Sequence, residues 1–284
     1  MSAGRLPDFL IIGAQKAGTT WLREQLRAHD DIFMPGSELH YFDHDDLYEK
    51  GPDWYANQFA AGADARLVGD KTPEYLYLPD RPDIRDGARR IHDLLPGARL
   101  IAVLRDPVTR ALSAVNHMIH RHHISPLHSV DSLLVGRQRS SLPWPVIEMG
   151  MYHRQLARFV ELFGRESVLT LYYEDDLVAD PAVGLSRTCD FLGIERETHP
   201  DEMRRRPNRQ RKSRFGLAVE HYTPVLSALV KGLEGRLPDY YPRLGEAASR
   251  ALYEEYAPHN ARLFDLVGRA PSSGWRFSPA GESG

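Results

Sequence analysis

The sequence predicts an α/β fold of three layers, in which a central parallel β-sheet is flanked by helices. Short apolar runs alternate along the chain with amphipathic stretches of helical period, and glycine or proline marks many of the junctions. This alternation of strand and helix favours parallel pairing. In such sheets ligands bind at the carboxyl ends of the strands, so candidate site residues are sought there.

Four apolar runs are the predicted strands. Phe9–Ile12 enters a glycine-containing turn, and Arg99–Leu104 is the clearest run of the four. The other two are Arg66–Val68 and Val168–Tyr172. Continuous apolar runs of this length are typical of strands that are buried between helices.

The stretches between these strands carry helical signals. The predicted helices are Thr20–Ala28, Ile84–Leu95, one that opens at Pro107, Tyr152–Phe163, Pro181–Phe191 and most of Phe215–Leu266. Glycine after a helix, as at Gly164 and Gly193, is a common stop signal. Residues 124–147 are predicted to form a loop or lid over the sheet. Because no linker divides the chain, we expect a single domain over residues 1–284.

Composition excludes several classes of protein. The chain has 284 residues, of which 42% are hydrophobic and 26% are charged, with a formal charge of −3. These values exclude collagen-like and largely disordered chains. Cys189 is the one cysteine, and the apolar run Phe9–Ala14 is too short for a signal peptide or a membrane span. We therefore expect a soluble, cytoplasmic protein with no membrane partner.

The turn after the first predicted strand, Gly13–Thr20, has the composition of a phosphate-binding loop. Its glycines permit a tight turn, and free amide groups at the start of the next helix can bind a phosphate. The nucleoside-triphosphate loop needs a lysine directly after its second glycine, but here Thr19 follows Gly18 and the lysine is Lys16. This departure argues against a kinase that uses Mg-ATP, which stays the alternative.

The segment Lys16–Trp21 resembles the 5′-phosphosulfate loop of sulfotransferases that use 3′-phosphoadenosine 5′-phosphosulfate (PAPS). The longer phrase that begins at Ile11 resembles their glycan-type branch, which includes heparan sulfate sulfotransferases and many bacterial enzymes. The resemblance implies a P-loop-like fold, PAPS as the donor and PAP as the product. Lys16 would stabilise the departing phosphate, and Trp21 would either stack on adenine or pack in the core. The implied donor-side residues are Gln15, Lys16, Ala17, Gly18, Thr19, Thr20 and Trp21.

The segment Leu104–Ser113 resembles the family's 3′-phosphate motif, R-D-P-x-x-R-x-x-S, which it matches in full. Arginine at a strand end can fork onto a phosphate. The resemblance implies that Arg105 and Ser113 bind the 3′-phosphate and that Tyr173 lies beside the adenine. A basic run, Met203–Phe215, falls where the family closes a loop over the phosphates. Its candidate contacts are Asn208, Arg209 and Lys212. No basic stripe extends beyond this run, so we expect no nucleic-acid partner.

Two further segments imply the catalytic groups of the acceptor side. In Gly36–Phe42, Glu38 occupies the place of the glycan branch's general base, although the residue before it is serine and not the usual lysine. A base is needed because a hydroxyl or amine acceptor loses a proton as it attacks sulfur. His40 is the competing base, since histidine titrates near neutrality. Gly69–Tyr75 resembles the family's E-K-[ST]-P-x-Y segment and implies that Lys71 is a second lysine near the transferred group.

The identity of the acceptor stays open between a small molecule and a glycan. The acidic run of residues 43–46 disfavours a highly sulfated polyanion, because like charges repel. Five histidines between residues 116 and 128 favour a solvated helix end or lid rim, and we expect no metal. A non-catalytic nucleotide-binding protein of the same fold is a second alternative.

Overall fold

The fold is a parallel sheet with helices, seen in a computed structural model that describes residues 4–79, 86–195, 212–223 and 237–278. The strands are β1 (Phe9–Gly13), β2 (Ile32–Phe33), β3 (Leu67–Lys71), β4 (Arg99–Leu104) and β5 (Val168–Tyr172). They pair in the order β2-β3-β1-β4-β5, and each neighbouring pair is parallel. The prediction of a central parallel sheet is therefore confirmed. The two residues of β2 are too few to give a pattern, and β3 runs three residues beyond its predicted end.

Most predicted helices are present, and their ends lie within three residues of the predicted ones. The described helices are α1 (Thr19–Arg27), α2 (Asp45–Tyr48), α3 (Pro52–Asn57), α4 (Gly87–Leu94), α5 (Pro107–His120), α6 (Val130–Leu134), α7 (Tyr152–Phe163), α8 (Pro181–Leu192), α9 (Arg214–Tyr222) and α10 (Glu246–Val267). Residues 237–245, predicted within the helical last third, are not helical, and residues 224–236 lie outside the described part. Within the described ranges, no helix is both long enough and apolar enough to cross a membrane.

The chain forms two compact units, each assembled from separate segments. Unit 1 contains residues 1–106, 152–206 and 262–274, and unit 2 contains residues 107–151, 207–261 and 275–284. The whole sheet lies in unit 1. The single domain expected over residues 1–284 stays a prediction.

The core of unit 1 is built on the two central strands. All side chains of β1 from Phe9 to Ile12, and of β4 from Leu100 to Leu104, are fully buried. Burial of each large apolar side chain contributes about 1.5–3 kcal/mol to folding. The register pairs Ile11 with Lys71. The ends of β1, β3 and β4 therefore lie at one edge of the sheet, where the phosphate-loop segment begins.

A late segment of the chain completes unit 1 beside β5. The Arg269 guanidinium pairs with Asp176 at 2.5 Å and lies over the Tyr172 ring, while the Arg269 carbonyl accepts a hydrogen bond from the Tyr172 hydroxyl at 2.6 Å. Ser272 donates from its amide and its hydroxyl to Asp175. These contacts hold residues 269–272 against the π-helical turn Tyr173–Ala179 that follows β5.

Unit 2 has an apolar core of its own. Side chains of α5, α6, α9 and α10 pack there with residues 124–147, from which Ile124, Leu134 and Ile147 are buried. The segment 124–147 thus includes a short helix and core positions, which its weak periodicity did not reveal. Its role as a lid stays a prediction.

Candidate active site

The phosphate-loop segment needs glycine at position 18 for two reasons. Gly18 is the N-cap of α1 with φ +90°, a left-handed conformation that other residues rarely adopt. A Cβ atom there would also lie 2.9 Å from the ring of Tyr173. Gly18 has no side chain to cap α1, and the amides of Thr19 and Thr20 have no hydrogen-bond partner within the described residues, so these two N–H groups can bind an anion. The loop therefore fits a phosphate-bearing ligand.

The loop side chains point in different directions. Ala17 and Thr19 are buried, at 0% and 3% exposure, so neither side chain is accessible to a ligand, and the Ala17 amide donates to the Ala14 carbonyl at 3.2 Å. Thr20 is exposed and Trp21 is half-buried. The Gln15 amide turns away from the loop and donates to Glu74 Oε1 at 3.0 Å.

Arg105 and Tyr173 lie beside the loop, as their places at the ends of β4 and β5 predict. Arg105 Nη1 donates to the Lys16 carbonyl at 3.1 Å, and the guanidinium carbon lies 4.8 Å from the centre of the Tyr173 ring. The other predicted nucleotide residues are not in unit 1. Ser113 lies half-buried on α5 in unit 2, and Lys212, also in unit 2, pairs with Glu220 at 2.6 Å. Asn208 and Arg209 lie outside the described residues.

Lys71 connects the loop to the predicted base. It is the last residue of β3, and its side chain is only 2% exposed. Its ammonium donates to Thr20 Oγ1 at 3.1 Å and forms an ion pair with Glu38 Oε1. One buried cation thus joins a hydroxyl of the phosphate-loop segment to a carboxylate that is 35% exposed.

His40 and Asp43 complete the surroundings of Glu38. His40 Nε2 lies 3.6 Å from Glu38 Oε2, and His40 Nδ1 lies 2.9 Å from Asp43 Oδ2. The contacts of Glu38 with His40 and Lys71 outweigh its partial burial and lower its pKa to about 2. The contacts of His40 with Asp43 and Glu38 raise its pKa to about 10. At neutral pH, Glu38 is therefore ionised and His40 is protonated.

Glu74 and Asp43 were not among the predicted site residues. Glu74 is half-buried, burial raises its pKa, and its Oε2 atom has no hydrogen-bond partner among the described residues. The spacing of Asp43, three residues after His40, was an available signal. Nothing local marks Glu74, since it approaches the cluster only when the turn after β3 folds.

The cluster carries its own counter-cations. The atoms of Glu38, His40 and Glu74 that could bind a metal ion lie within 4.8 Å of one another, and so do those of His40, Asp43 and His44. Glu38 already pairs with Lys71, and His40 is the protonated partner of Asp43. We therefore assign no metal to these groups. Among the described side chains, the histidines of residues 117–128 form no comparable set.

Comparison with known proteins places this arrangement in context. Residues 6–215 match the model of the sulfotransferase domain family. Human heparan sulfate glucosamine 3-O-sulfotransferase 6 is 30% identical over 276 residues, which cover 95% of this chain and 74% of that protein. Human heparan sulfate glucosamine 3-O-sulfotransferase 3B1 is 30% identical over 277 residues, which cover 95% and 65%. A sulfotransferase from Alicyclobacillus acidocaldarius has the same fold, with a TM-score of 0.70 and 24% identity over 96% of this chain and 100% of that one.

Proposed function

The chain belongs to the sulfotransferase family, and on that premise we propose how its unit 1 site transfers a sulfuryl group from PAPS to a glycan hydroxyl. The enzyme is a PAPS-dependent sulfotransferase, and the kinase alternative is not favoured. The observation that carries the proposed mechanism is the position of Lys71. Its ammonium contacts both Thr20 of the phosphate-loop segment and Glu38. The bound PAPS and the base Glu38 would therefore lie on either side of this buried cation.

On the donor side, the uncapped amides of α1 would hold the 5′-phosphate of PAPS. A helix N-terminus favours an anion through its free N–H groups and its dipole. Lys16 would neutralise the phosphate as it leaves, and Arg105 would hold the 3′-phosphate. The 3′-phosphate role that the resemblance implies for Ser113 stays a prediction. Tyr173, which already contacts Arg105, would form a wall beside the adenine.

In the transfer step, the acceptor oxygen forms a new bond to sulfur while the bond between sulfur and the phosphate oxygen breaks. Glu38 takes the proton of the acceptor hydroxyl, and PAP leaves with the electron pair of the broken bond. Lys71 would stabilise the negative charge on the sulfuryl oxygens. Preorganised cations of this kind are usually the largest catalytic contribution.

Glu38 suits the role of base better than His40. A base must be unprotonated when the acceptor arrives, and Glu38 is ionised at neutral pH. Its pKa of about 2 makes it a weak proton acceptor while it is paired with His40 and Lys71, so proton transfer requires these contacts to loosen as the acceptor binds. The pKa of His40 is raised to about 10, so its imidazole already holds the proton that a base would have to accept. His40 would instead orient Glu38 and stabilise its charge.

The acceptor would be a hydroxyl of a glycan that contains an amino sugar. The two relatives named above, whose names specify heparan sulfate glucosamine 3-O-sulfation, support this proposal. Glu74 lies beside Glu38 and His40 and adds a carboxyl group to the acceptor side. Negative charge there would disfavour an anionic group next to the reacting hydroxyl. Neutral oligosaccharides would therefore be better acceptors than N-sulfated ones.

The test combines donor binding with turnover. PAP at about 100 times its dissociation constant should stabilise the protein by roughly 2.7 kcal/mol, which a melting experiment detects. Neutral and N-sulfated glucosamine oligosaccharides are then offered with PAPS. Glu38→Gln should lower kcat by about 10²-fold or more while the melting shift with PAP remains.

Asp46→Asn is the matched control. Asp46 is an exposed acid on α2, eight residues after Glu38, and its side chain forms no hydrogen bond or ion pair within the described residues. A Glu38→Gln variant with the turnover of the control would refute the base assignment. Binding of PAP without transfer to any acceptor would support the non-catalytic alternative. A cytoplasmic location is part of the proposal, because a chain with the single cysteine Cys189 forms no internal disulfide.

A further inference from the structure

Side chains of the segment after β3 hold three consecutive amides beside Glu38. Thr72 Oγ1 accepts hydrogen bonds from the amides of Leu39 at 3.2 Å and of His40 at 3.4 Å. The Tyr75 hydroxyl accepts one from the amide of Tyr41 at 3.0 Å. These residues lie outside any helix or strand, so ladder hydrogen bonds do not fix their backbone.

The two hydroxyls belong to one buried network that ends on a carboxylate. Thr72 hydrogen-bonds to Tyr75. Tyr75 donates its proton to Asp70 Oδ2 at 2.9 Å, and Tyr55 donates to the same oxygen at 2.9 Å. Asp70, Tyr55, Thr72 and Tyr75 are each at most 1% exposed. Hydrogen bonds in such a dry, connected network strengthen one another and hold their members rigidly.

The backbone at His40 needs such support. Its φ angle is +51°, in the left-handed region that a residue with a Cβ atom adopts at a cost of about 1–2 kcal/mol. In this conformation the imidazole contacts both Glu38 and Asp43. Without hydrogen bonds to the amides of residues 39–41, the segment would relax and separate these groups.

We propose that Thr72 and Tyr75 are positioning residues that hold Glu38 and His40 in the geometry needed for proton transfer. They act through the backbone of residues 39–41 and not through contact with the substrate. The proposal rests on the role given above to Glu38. The segment Asp70–Tyr75 would thus supply Lys71 and also the two hydroxyls that hold Glu38, the carboxylate partner of Lys71, in position.

The two buried tyrosines provide a matched pair of variants. Tyr75→Phe and Tyr55→Phe each remove a hydroxyl that donates to Asp70 Oδ2 at 2.9 Å, but only Tyr75 also contacts the amide of Tyr41. Tyr75→Phe should lower kcat at least about 10-fold more than Tyr55→Phe does, at a similar melting temperature. The dissociation constant of PAP should stay within about twofold of the wild-type value.

The pKa of His40, measured by titration, reports on the position of its side chain beside Glu38 and Asp43 and does not depend on turnover. The groups that face His40 are Asp43, Glu38, Glu74 and His44. The imidazole ¹⁵N resonances, assigned with His40→Gln, should show a pKa of His40 that falls toward 6.5 in Tyr75→Phe and stays high in Tyr55→Phe. Equal titrations in the two variants, or activity that only follows the melting temperature, would overturn the proposal.

Thr72 supplies a second pair if a tyrosine variant does not fold. Thr72→Val removes the oxygen that accepts from the amides of residues 39 and 40, whereas Thr72→Ser keeps it. The serine variant should retain the His40 titration and kcat, and the valine variant should lose both. If the titrations behave as expected but the wild-type protein transfers no sulfuryl group, then the proposed function is wrong and the positioning role stands.

Discussion

His40 shows how one side chain can control the acidity of another. Its imidazolium lies between two carboxylates: Nδ1 faces Asp43 and Nε2 faces Glu38, so one positive charge serves both acids. Its value to the site is therefore electrostatic. Histidine beside two acids in a sequence suggests a base, but the same two acids are what keep it protonated.

His40→Gln should move the acid limb of the kcat/KM profile to higher pH by about one unit or more. Loss of the imidazolium removes the largest cause of the low pKa of Glu38, which then rises from about 2 toward 4.5. A carboxyl group with a higher pKa loses activity at a higher pH as the solution is acidified. The measurement is kcat/KM from pH 2 to pH 9, a range that includes the acid limb of the wild-type protein as well as that of the variant.

His44→Gln is the control for this change. His44 lies 4.8 Å from His40 between ring centres and 3.8 Å from Asp43, but no contact with Glu38 is known. The acid limb of the kcat/KM profile of His44→Gln should coincide with that of the wild-type protein. If both histidine variants gave the same profile, the assigned effect of His40 on Glu38 would be wrong.

The turn between β1 and α1 is an element in which a single methyl group should disturb ligand binding. Gly18→Ala should weaken PAP binding by about 10-fold and lower the melting temperature, because the new Cβ meets both an unfavourable φ angle and the Tyr173 ring. Displacement of that ring also disturbs Arg105, which lies against it. Calorimetric titration with PAP measures the affinity.

Gly97→Ala tests whether any added methyl would have this effect. Gly97 lies in an exposed turn, and a Cβ there would have no atom within 4 Å. Its affinity for PAP and its melting temperature should match the wild-type values within error. Equal losses in the two variants would contradict the role assigned to the space between Gly18 and Tyr173.

Several elements could be predicted from sequence because their signals are local. Phe9–Gly13 combines a continuous apolar run with a glycine stop, and Gly193 ends α8 in the left-handed conformation that glycine favours. The contact between Glu38 and Lys71 has no local signal. The contact joins residues that are 33 positions apart. It forms only because β3 pairs with β1 in the register that places Lys71 beside Ile11. The resemblance implied roles for Glu38 and Lys71. It included Thr72 and Tyr75 in its motif but gave their hydroxyls no role.

Across the full chain, the burial of Asp70 should affect global stability in a pH-dependent way. Burial raises the pKa of Asp70 from 3.8 to about 6. Between these values the folded protein keeps a proton that the unfolded chain has lost, so this group favours folding at low pH. Its contribution falls by about 3 kcal/mol as the pH rises from about 4 to about 6.

Asp70→Asn removes this dependence while it keeps an oxygen that can accept from Tyr55 and Tyr75. Relative to the variant, the wild-type protein should therefore lose free energy of unfolding between pH 4 and pH 6, with no further change above pH 7. Urea unfolding of both proteins at each pH measures this difference. A difference that does not vary with pH would show that folding leaves the pKa of Asp70 unchanged.

The order of segments in unit 1 has a consequence for biosynthesis. The sheet uses residues 9–172, but the contacts of Arg269 and Ser272 with Asp176 and Asp175 require residues from the third segment, 262–274. A ribosome delivers that segment roughly 90 residues after Asp176. In the nascent chain, Asp175 and Asp176 therefore lack these contacts while residues 177–261 are being synthesised. Stalled or truncated products that end before Arg269 should thus be recognised by chaperones and proteases as unfinished.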